Sequence, residues 1–419
     1  MIRNILLFPI LIGTIYVQQM DEYCKNQDNN EVVCTNFTDF AQLNLSFFKP
    51  SNADEYSSLV FKPINPILLD DSLILQNLKV EDNYAIEFES LSGFSILSNP
   101  LVYLDLTKKA MLTFKKSNIE FTYENNTIDV NTCNFILQNE LFISILYSCK
   151  NFILDNPIYS SLPICPIIFD GANLEILEVQ NVNPTNKFSI IDSSLLNVTN
   201  LPREYDINIT MFRISLSDFT LDKSILSSFV FAKLQYLSIV NSYLRNIQND
   251  LFKSFSFIKV FEVDLYNFED FIQTARREDS WLSYLNINIT VDLTNETDFN
   301  NNREYKMQFY LTDLNKTYLY PDEDFCSFVS YPHSKLVVPI INTKENLDCT
   351  CTLLYLLQYK SLYQNQSINE LDTPSVNKCI NHPYFDQLVS VCDFKKKIML
   401  CDGKIIINSS SILDKIFLS

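Results

Sequence analysis

The sequence predicts an α/β repeat solenoid, with one parallel β-sheet on a concave face and irregular or helical segments returning the chain from each strand to the next. Three observations carry this expectation. Apolar residues recur at intervals of 23 or 24 between residues 211 and 315. The 11 cysteines gather toward the ends and leave the stretch from Cys165 to Cys326 empty. Only 4 glycines occur in 419 residues, so turns fall to Asn, Asp and Ser, which hydrogen-bond their own backbone and tolerate left-handed conformations.

At the N-terminus, Arg3 precedes the apolar run Ile5 to Val17, which polar Gln18 and Gln19 end. So short a run reads as a signal peptide over residues 1–19 rather than a membrane helix, and no later apolar run approaches 20 residues. The tail, 403–419, holds Asp414 and Lys415 in its apolar end and is short for a lipid-anchor signal. The mature chain is therefore expected to be secreted, with no membrane span. In that compartment the cysteines read as disulfides, an odd count leaving one thiol free or intermolecular. Ten N-x-S/T sequons are glycosylation candidates: Asn36, Asn44, Asn125, Asn197, Asn208, Asn288, Asn295, Asn315, Asn365 and Asn408.

Cys24 and Cys34 mark an N-terminal cap over 20–40, and the solenoid is expected over 41–335. Its first part, to about residue 210, is irregular. Leu43/Leu45, Leu73/Leu75, Leu104/Leu106 and Phe135/Leu137 read as strand pairs at spacings of 30, 31 and 31. Leu177/Val179 follows after 42 and Ile214/Leu216 after 37, and the gap of 42 has room for a further strand near Phe152/Leu154. The regular part is clearer. Leu234, Leu237, Ile239, Leu244, Ile247, Phe252 and Phe255 recur 24 residues on as Ile258, Phe261, Val263, Phe268 and Phe271. The next shifts give Leu282, Leu285 and Ile287, then Phe309 and Leu311; one interval upstream stand Met211, Ile214, Leu216 and Leu221. One unit buries roughly seven apolar side chains at ~1.5–3 kcal/mol each. Ordering it costs about 1.5 kcal/mol per residue. A lone unit therefore does not fold, and stacked neighbours do.

Leu234 to Phe257, LQYLSIVNSYLRNIQNDLFKSFSF, resembles the repeat of the extracellular leucine-rich repeat family. The resemblance implies a curved horseshoe. It departs where the family carries an inward Asn or Cys: Ser242 stands there, and Tyr266 in the next repeat. Asn346-Leu-Asp-Cys349-Thr-Cys351-Thr-Leu353-Leu-Tyr355 resembles the family's cysteine-rich C-terminal cap, whose C-x-C opens a helix, with Tyr355 in the place of a Trp. This places the cap over 336–402 and implies Cys349–Cys379 and Cys351–Cys401 disulfides, leaving Cys392 over with Cys326 available to it. Cys24 and Val32-Val-Cys34 resemble a reduced N-terminal cap. Cys133, Cys149 and Cys165 are placed to staple an internal loop with one left over. The secretory context argues against zinc at the C-x-C.

Function classes narrow by exclusion. Gly13, Gly93, Gly171 and Gly403 stand alone, which defeats Gly-rich phosphate loops. His333 and His382 are too few for a three-His metal centre. Net charge is −18, which repels nucleic acid on average. No spacing singles out a carboxylate pair for acid–base work. No catalysis, cofactor or metal is expected. Outward strand positions of a solenoid form columns, and these bring together Tyr103, Asp105, Glu178, Arg213, Tyr236, Glu262, Asp264, Tyr284 and Tyr310 as a candidate binding face. Tyr beside acids suits a polar or basic protein surface, because Tyr buries area and keeps a hydroxyl. A glycan at Asn288 would cover part of it. The expected role is a glycosylated secreted protein that recognises an unknown extracellular protein. The alternative is a matrix or coat component that self-associates, with an unpaired cysteine as the link. Lys395 to Lys397 reads as a solvated face of the cap.

Overall fold

Side chains on a strand alternate between its two faces, and here the alternation separates apolar from polar residues on strand after strand. The computed structural model describes residues 23–402 except 28–29, 44, 46–55, 71, 74, 76–79, 96–108, 118–120, 124–125, 140–145, 147–148, 158–162, 186–187, 198–204, 256–257, 276–306, 330–336, 343–347, 357–378 and 380–381. The expected signal peptide and tail, the Leu104/Leu106 and Leu282–Ile287 strands, and the sequons Asn44, Asn125, Asn288, Asn295, Asn365 and Asn408 lie outside the described residues. The chain forms two units, Met1–Asp218 with Lys223–Leu234, and Phe219–Asp222 with Gln235–Ser419.

The first unit holds β1 (Cys24–Gln27), β2 (Glu31–Thr35), β3 (Tyr56–Lys62), β4 (Ile67–Leu69), β5 (Val80–Glu89), β6 (Leu91–Ser95), β7 (Lys109–Lys115), β8 (Phe121–Tyr123), β9 (Asn126–Thr127), helix α1 (Val130–Asn139), β10 (Cys149–Asp155), β11 (Ile176–Gln180) and β12 (Met211–Ser215). Its main sheet runs β1-β2-β3-β5-β7-β10-β11-β12. β1 is antiparallel to β2, and the other pairs are parallel. After β3, β5 and β7 the chain turns into β4, β6 and β8, which make a short parallel sheet of their own, closed by antiparallel β9.

Two buried rows cross the main sheet in register. One is Val32, Leu59, Ile86, Leu112, Phe152, Leu177 and Phe212; the other is Cys34, Phe61, Phe88, Phe114, Leu154, Val179 and Ile214. Each side chain contributes about 1.5–3 kcal/mol on burial. The phenylalanines add ring contacts: Phe61 stacks on Phe88 at 4.9 Å, and Phe114 meets Phe152 edge-on at 5.2 Å.

The strands end in a shared corner. Asn36, Ser90, Lys116, Asn156 and Asn181 each follow a strand directly and take a positive φ, between 47° and 62°. Each donates its N–H to the carbonyl of the last residue of a neighbouring strand: Lys62, Lys115, Asp155, Gln180 and Ser215 in turn. Asparagine suits this left-handed site because its short polar side chain bonds locally. A second row of polar groups closes the turns beneath. Ser117 Oγ accepts from Leu91 N at 3.0 Å, and Ser217 Oγ accepts from Val182 N at 3.0 Å. Both hydroxyls are buried.

The second unit contains β13 (Asp218–Leu221), β14 (Tyr236–Ile247), β15 (Val260–Leu265), α2 (Phe268–Ala275), β16 (Met307–Asp313), α3 (Phe325–Val329), β17 (Val337–Asn342), α4 (Cys351–Tyr355), α5 (Phe385–Cys392) and α6 (Phe394–Asp402). Strands β14-β15-β16-β17 lie in that order, all parallel, and β13 pairs with β14. Leu237, Phe261 and Phe309 share one buried rung; Ile239, Val263 and Leu311 share the next. β14 carries an irregularity between Ile239 and Ser242. Asn267 closes the next turn, two residues past the end of β15, as Ser117 and Ser217 stand two residues past β7 and β12. Asn267 Oδ1 accepts from Leu244 N at 3.1 Å, and its Nδ2 donates to Leu244 O at 3.0 Å.

Several expected strands move. Phe135 and Leu137 lie on α1, whose buried residues Cys133, Ile136 and Leu137 follow helical spacing while Phe135 is exposed. Leu43, Leu45, Leu73 and Leu75 are buried but sit on return segments, the strands being β2, β3 and β5. On β12 the inward pair is Phe212 and Ile214, and Leu216 is an exposed corner residue with φ 52°. β15 pairs directly with β16. The parallel ladder continues through β17, past the expected boundary at 335.

Five disulfides link Cys24–Cys34, Cys133–Cys165, Cys326–Cys401, Cys349–Cys379 and Cys351–Cys392. The C-x-C does open a helix: Thr350 caps α4, accepting from Leu353 N at 3.2 Å. The resemblance-implied Cys351–Cys401 bridge does not form. Cys351, at the first turn of α4, meets the last turn of α5 at Cys392, and Cys401 on α6 meets Cys326 on α3. Phe325, Tyr355 and Phe394 pack together at this junction, with ring separations of 5.1 to 6.0 Å. Lys397 there lies 3.3 Å from Asp322 and 5.7 Å above the Phe325 ring. Among the described residues, no helix is long and apolar enough to cross a membrane.

Candidate binding face

The residues opposite the buried rows form a second face on each unit, and the two faces differ in chemistry. On the first, Lys62 and Lys116 approach Glu89 at 3.9 and 3.3 Å, and Lys115 approaches Glu87 at 3.9 Å. Arg213 Nε lies 3.8 Å from Glu178, an ion pair too long for a hydrogen bond. Glu178 also accepts from Gln180 at 2.8 Å and Ser215 at 3.4 Å, and Asp155 accepts from Asn181 at 2.6 Å. The acids here are answered from within the chain.

On the second unit, Tyr236 and Ser238 of β14, Glu262 and Asp264 of β15, and Tyr310 and Thr312 of β16 occupy neighbouring rungs. Tyr236 donates its hydroxyl to Glu262 Oε2 at 2.8 Å, and Ser238 donates to the same oxygen at 2.7 Å. Ser238 is buried. Tyr310 stands across from Glu262 and Thr312 across from Asp264. Burial raises the Asp264 carboxyl above the usual aspartate value; a hydrogen bond from Thr312 pulls it back, and the nearby Glu262 charge raises it further. The Tyr310 phenol is raised by burial and then by Glu262. Among the described residues, no Lys or Arg forms an ion pair with Glu262 or Asp264.

The structure thus brings together four of the expected face residues, Tyr236, Glu262, Asp264 and Tyr310. Glu178 and Arg213 pair on the other unit, on one rung of β11 and β12 rather than in adjacent columns. Tyr103, Asp105 and Tyr284 lie outside the described residues. The charged face of the first unit escaped sequence reasoning because its strands were placed on return segments. A signal was present: 62, 89 and 116 alternate Lys, Glu, Lys at an interval of 27.

Of the described sequons, Asn36 and Asn197 are exposed and Asn208 is half-buried, bonded to Lys233 at 2.6 Å. Asn315 is exposed, with Nδ2 donating to Tyr266 O at 2.7 Å. The unpaired cysteine is Cys149, buried on β10, and burial pushes its thiol up to about 12. Among the described residues, no group of three His, Cys, Asp or Glu side chains is placed to hold a metal ion. Neither a protein-family model nor a curated protein matches the chain.

Proposed function

We propose that this chain is a secreted, glycosylated leucine-rich-repeat solenoid that recognises a protein partner through the second face of β14–β16 and carries out no catalysis. The parallel ladder, the left-handed Asn corners and the capping disulfides support the repeat reading; the disulfides suit an oxidising compartment. The observation that carries the function is the grouping of Tyr236, Glu262, Asp264 and Tyr310 on adjacent rungs. Aromatic and polar groups held by a rigid sheet lose little freedom on binding, and Tyr is enriched among residues that dominate interface energy. Self-association through a thiol loses its chemical handle, since Cys149 is buried and its thiolate disfavoured.

The test is capture of extracellular partners by the full chain, compared with a Tyr236→Ala, Glu262→Gln, Tyr310→Ala variant that keeps the wild-type circular dichroism spectrum. Loss of the captured band by tenfold or more is expected. Equal capture by both proteins would remove the face assignment.

A further inference from the structure

We infer that the partner of this face is a basic protein segment, which presents an arginine or lysine to Glu262 and Asp264 between Tyr236 and Tyr310. The inference rests on the binding-face reading above and adds the chemistry of the partner. It comes from a difference internal to the molecule. On the first unit Lys62, Lys115, Lys116 and Arg213 supply the cations for Glu87, Glu89 and Glu178. On the second, the described residues supply only hydroxyls: Tyr236 and Ser238 to Glu262, and Thr312 to Asp264.

Those hydroxyls matter for binding. Two donors on Oε2 hold the Glu262 carboxylate in one orientation and leave Oε1 without a hydrogen bond among the described residues. A carboxylate fixed in this way loses little freedom when a cation arrives. Both acids are half-buried, where an ion pair is screened less than at a fully exposed site. A guanidinium or ammonium above a tyrosine ring gains a further attraction from the ring face. An acidic partner would meet only repulsion here, and an apolar one would strip water from two carboxylates without replacing it.

The probe is an eight-residue peptide of alternating Lys and Arg, titrated against the full chain by fluorescence anisotropy at two salt concentrations. Its counterpart of alternating Glu and Asp is the control. Net charge alone attracts any basic peptide, so two charge-matched variants are compared. Glu262→Gln with Asp264→Asn is expected to weaken the basic peptide at least tenfold, and Glu87→Gln with Asp155→Asn less than twofold. Equal weakening by the two variants, or no binding to wild type, overturns the inference. A measurement on the unaltered protein guards against misfolding of the variants: carbodiimide coupling of the bound peptide, with the joined carboxylate identified by mass spectrometry. Coupling at Glu262 or Asp264 supports the inference; coupling confined to other acids overturns it. If the triple variant above loses its partner while coupling falls elsewhere, the binding-face reading stands and the basic partner does not. If capture is unchanged in that variant, the reading falls and takes this inference with it.

Discussion

The two units have interiors of the same kind and display two different surfaces. Inside, both stack aromatic rings along a parallel ladder: Phe61 on Phe88 in the first, Phe261 on Phe309 at 5.2 Å in the second. Outside, the first unit pairs Lys and Arg with its acids, and in the second, among the described residues, Glu262 and Asp264 meet hydroxyl groups. The inward positions obey a packing rule that tolerates little variation. The outward positions are free to vary, so the function of such a scaffold resides in them. A surface already neutralised by its own cations has little to gain from a charged partner. One whose acids meet only hydroxyl groups among the described residues has more.

The largest expected effect lies in the interior of the first unit. Phe88 touches Phe40, Phe61 and Phe114 at ring separations of 5.9, 4.9 and 6.0 Å and is fully buried. Phe88→Ala is expected to cost about 3–5 kcal/mol, a lost transfer energy plus a cavity. Urea denaturation of the full chain measures it. A loss below about 1 kcal/mol would mean that the ladder is not the source of stability and that the comparison of interiors fails.

Interior and surface were unequally legible in the sequence. The 24-residue period located Leu237, Ile239, Phe261 and Val263 on their rungs, because there the strand residues recur at a fixed interval that fixes which positions stack. Between residues 24 and 216 the return segments are as apolar as the strands. Leu73 and Leu75 are as buried as Ile86 and Phe88, so alternation alone could not say which pair belongs to the sheet. Phe135 and Leu137 mimic a strand pair inside a helix because two residues of any helix sit two apart; the informative set was Cys133, Ile136 and Leu137. The rung shared by Glu178 and Arg213 was hidden by the same ambiguity, with Leu216 taken as inward. Tyr236, Glu262, Asp264 and Tyr310 were readable as neighbours because their strands were. What no pattern of residue types conveyed is that Ser238 and Thr312 answer the two acids in place of a cation.

A smaller effect separates the two surfaces. Glu89 is approached by Lys62 and Lys116, whose side chains are roughly half exposed. Glu89→Gln removes both ion pairs and is expected to destabilise by about 0.5–1 kcal/mol at low salt, since exposed pairs are weak and screened. The loss should shrink in 1 M sodium chloride. A destabilisation that does not change with salt would show that Glu89 acts by packing or hydrogen bonding, and the contrast in charge pairing would weaken.

The smallest effect has the opposite sign. Burial holds the Asp264 carboxyl above its ordinary value of 3.8, and the Glu262 charge adds to this. The folded protein therefore binds this proton more tightly than the unfolded chain does. Its contribution to stability is full below the unfolded value, and it is lost as pH rises through the higher folded one. At neutral pH the ionised group is a cost. Asp264→Asn keeps a partner for Thr312 and removes the charge, so it is expected to raise stability at pH 7 by a few tenths of a kcal/mol, a figure discounted for partial exposure. The gain should vanish near pH 3. The same substitution should weaken the basic peptide, which is the trade expected where a strained charge serves binding rather than folding. Thermal melts of both proteins from pH 3 to pH 7 decide it. A variant less stable than wild type at pH 7 would mean that Asp264 stabilises its unit, and that its charge is not held in readiness for a cation from outside.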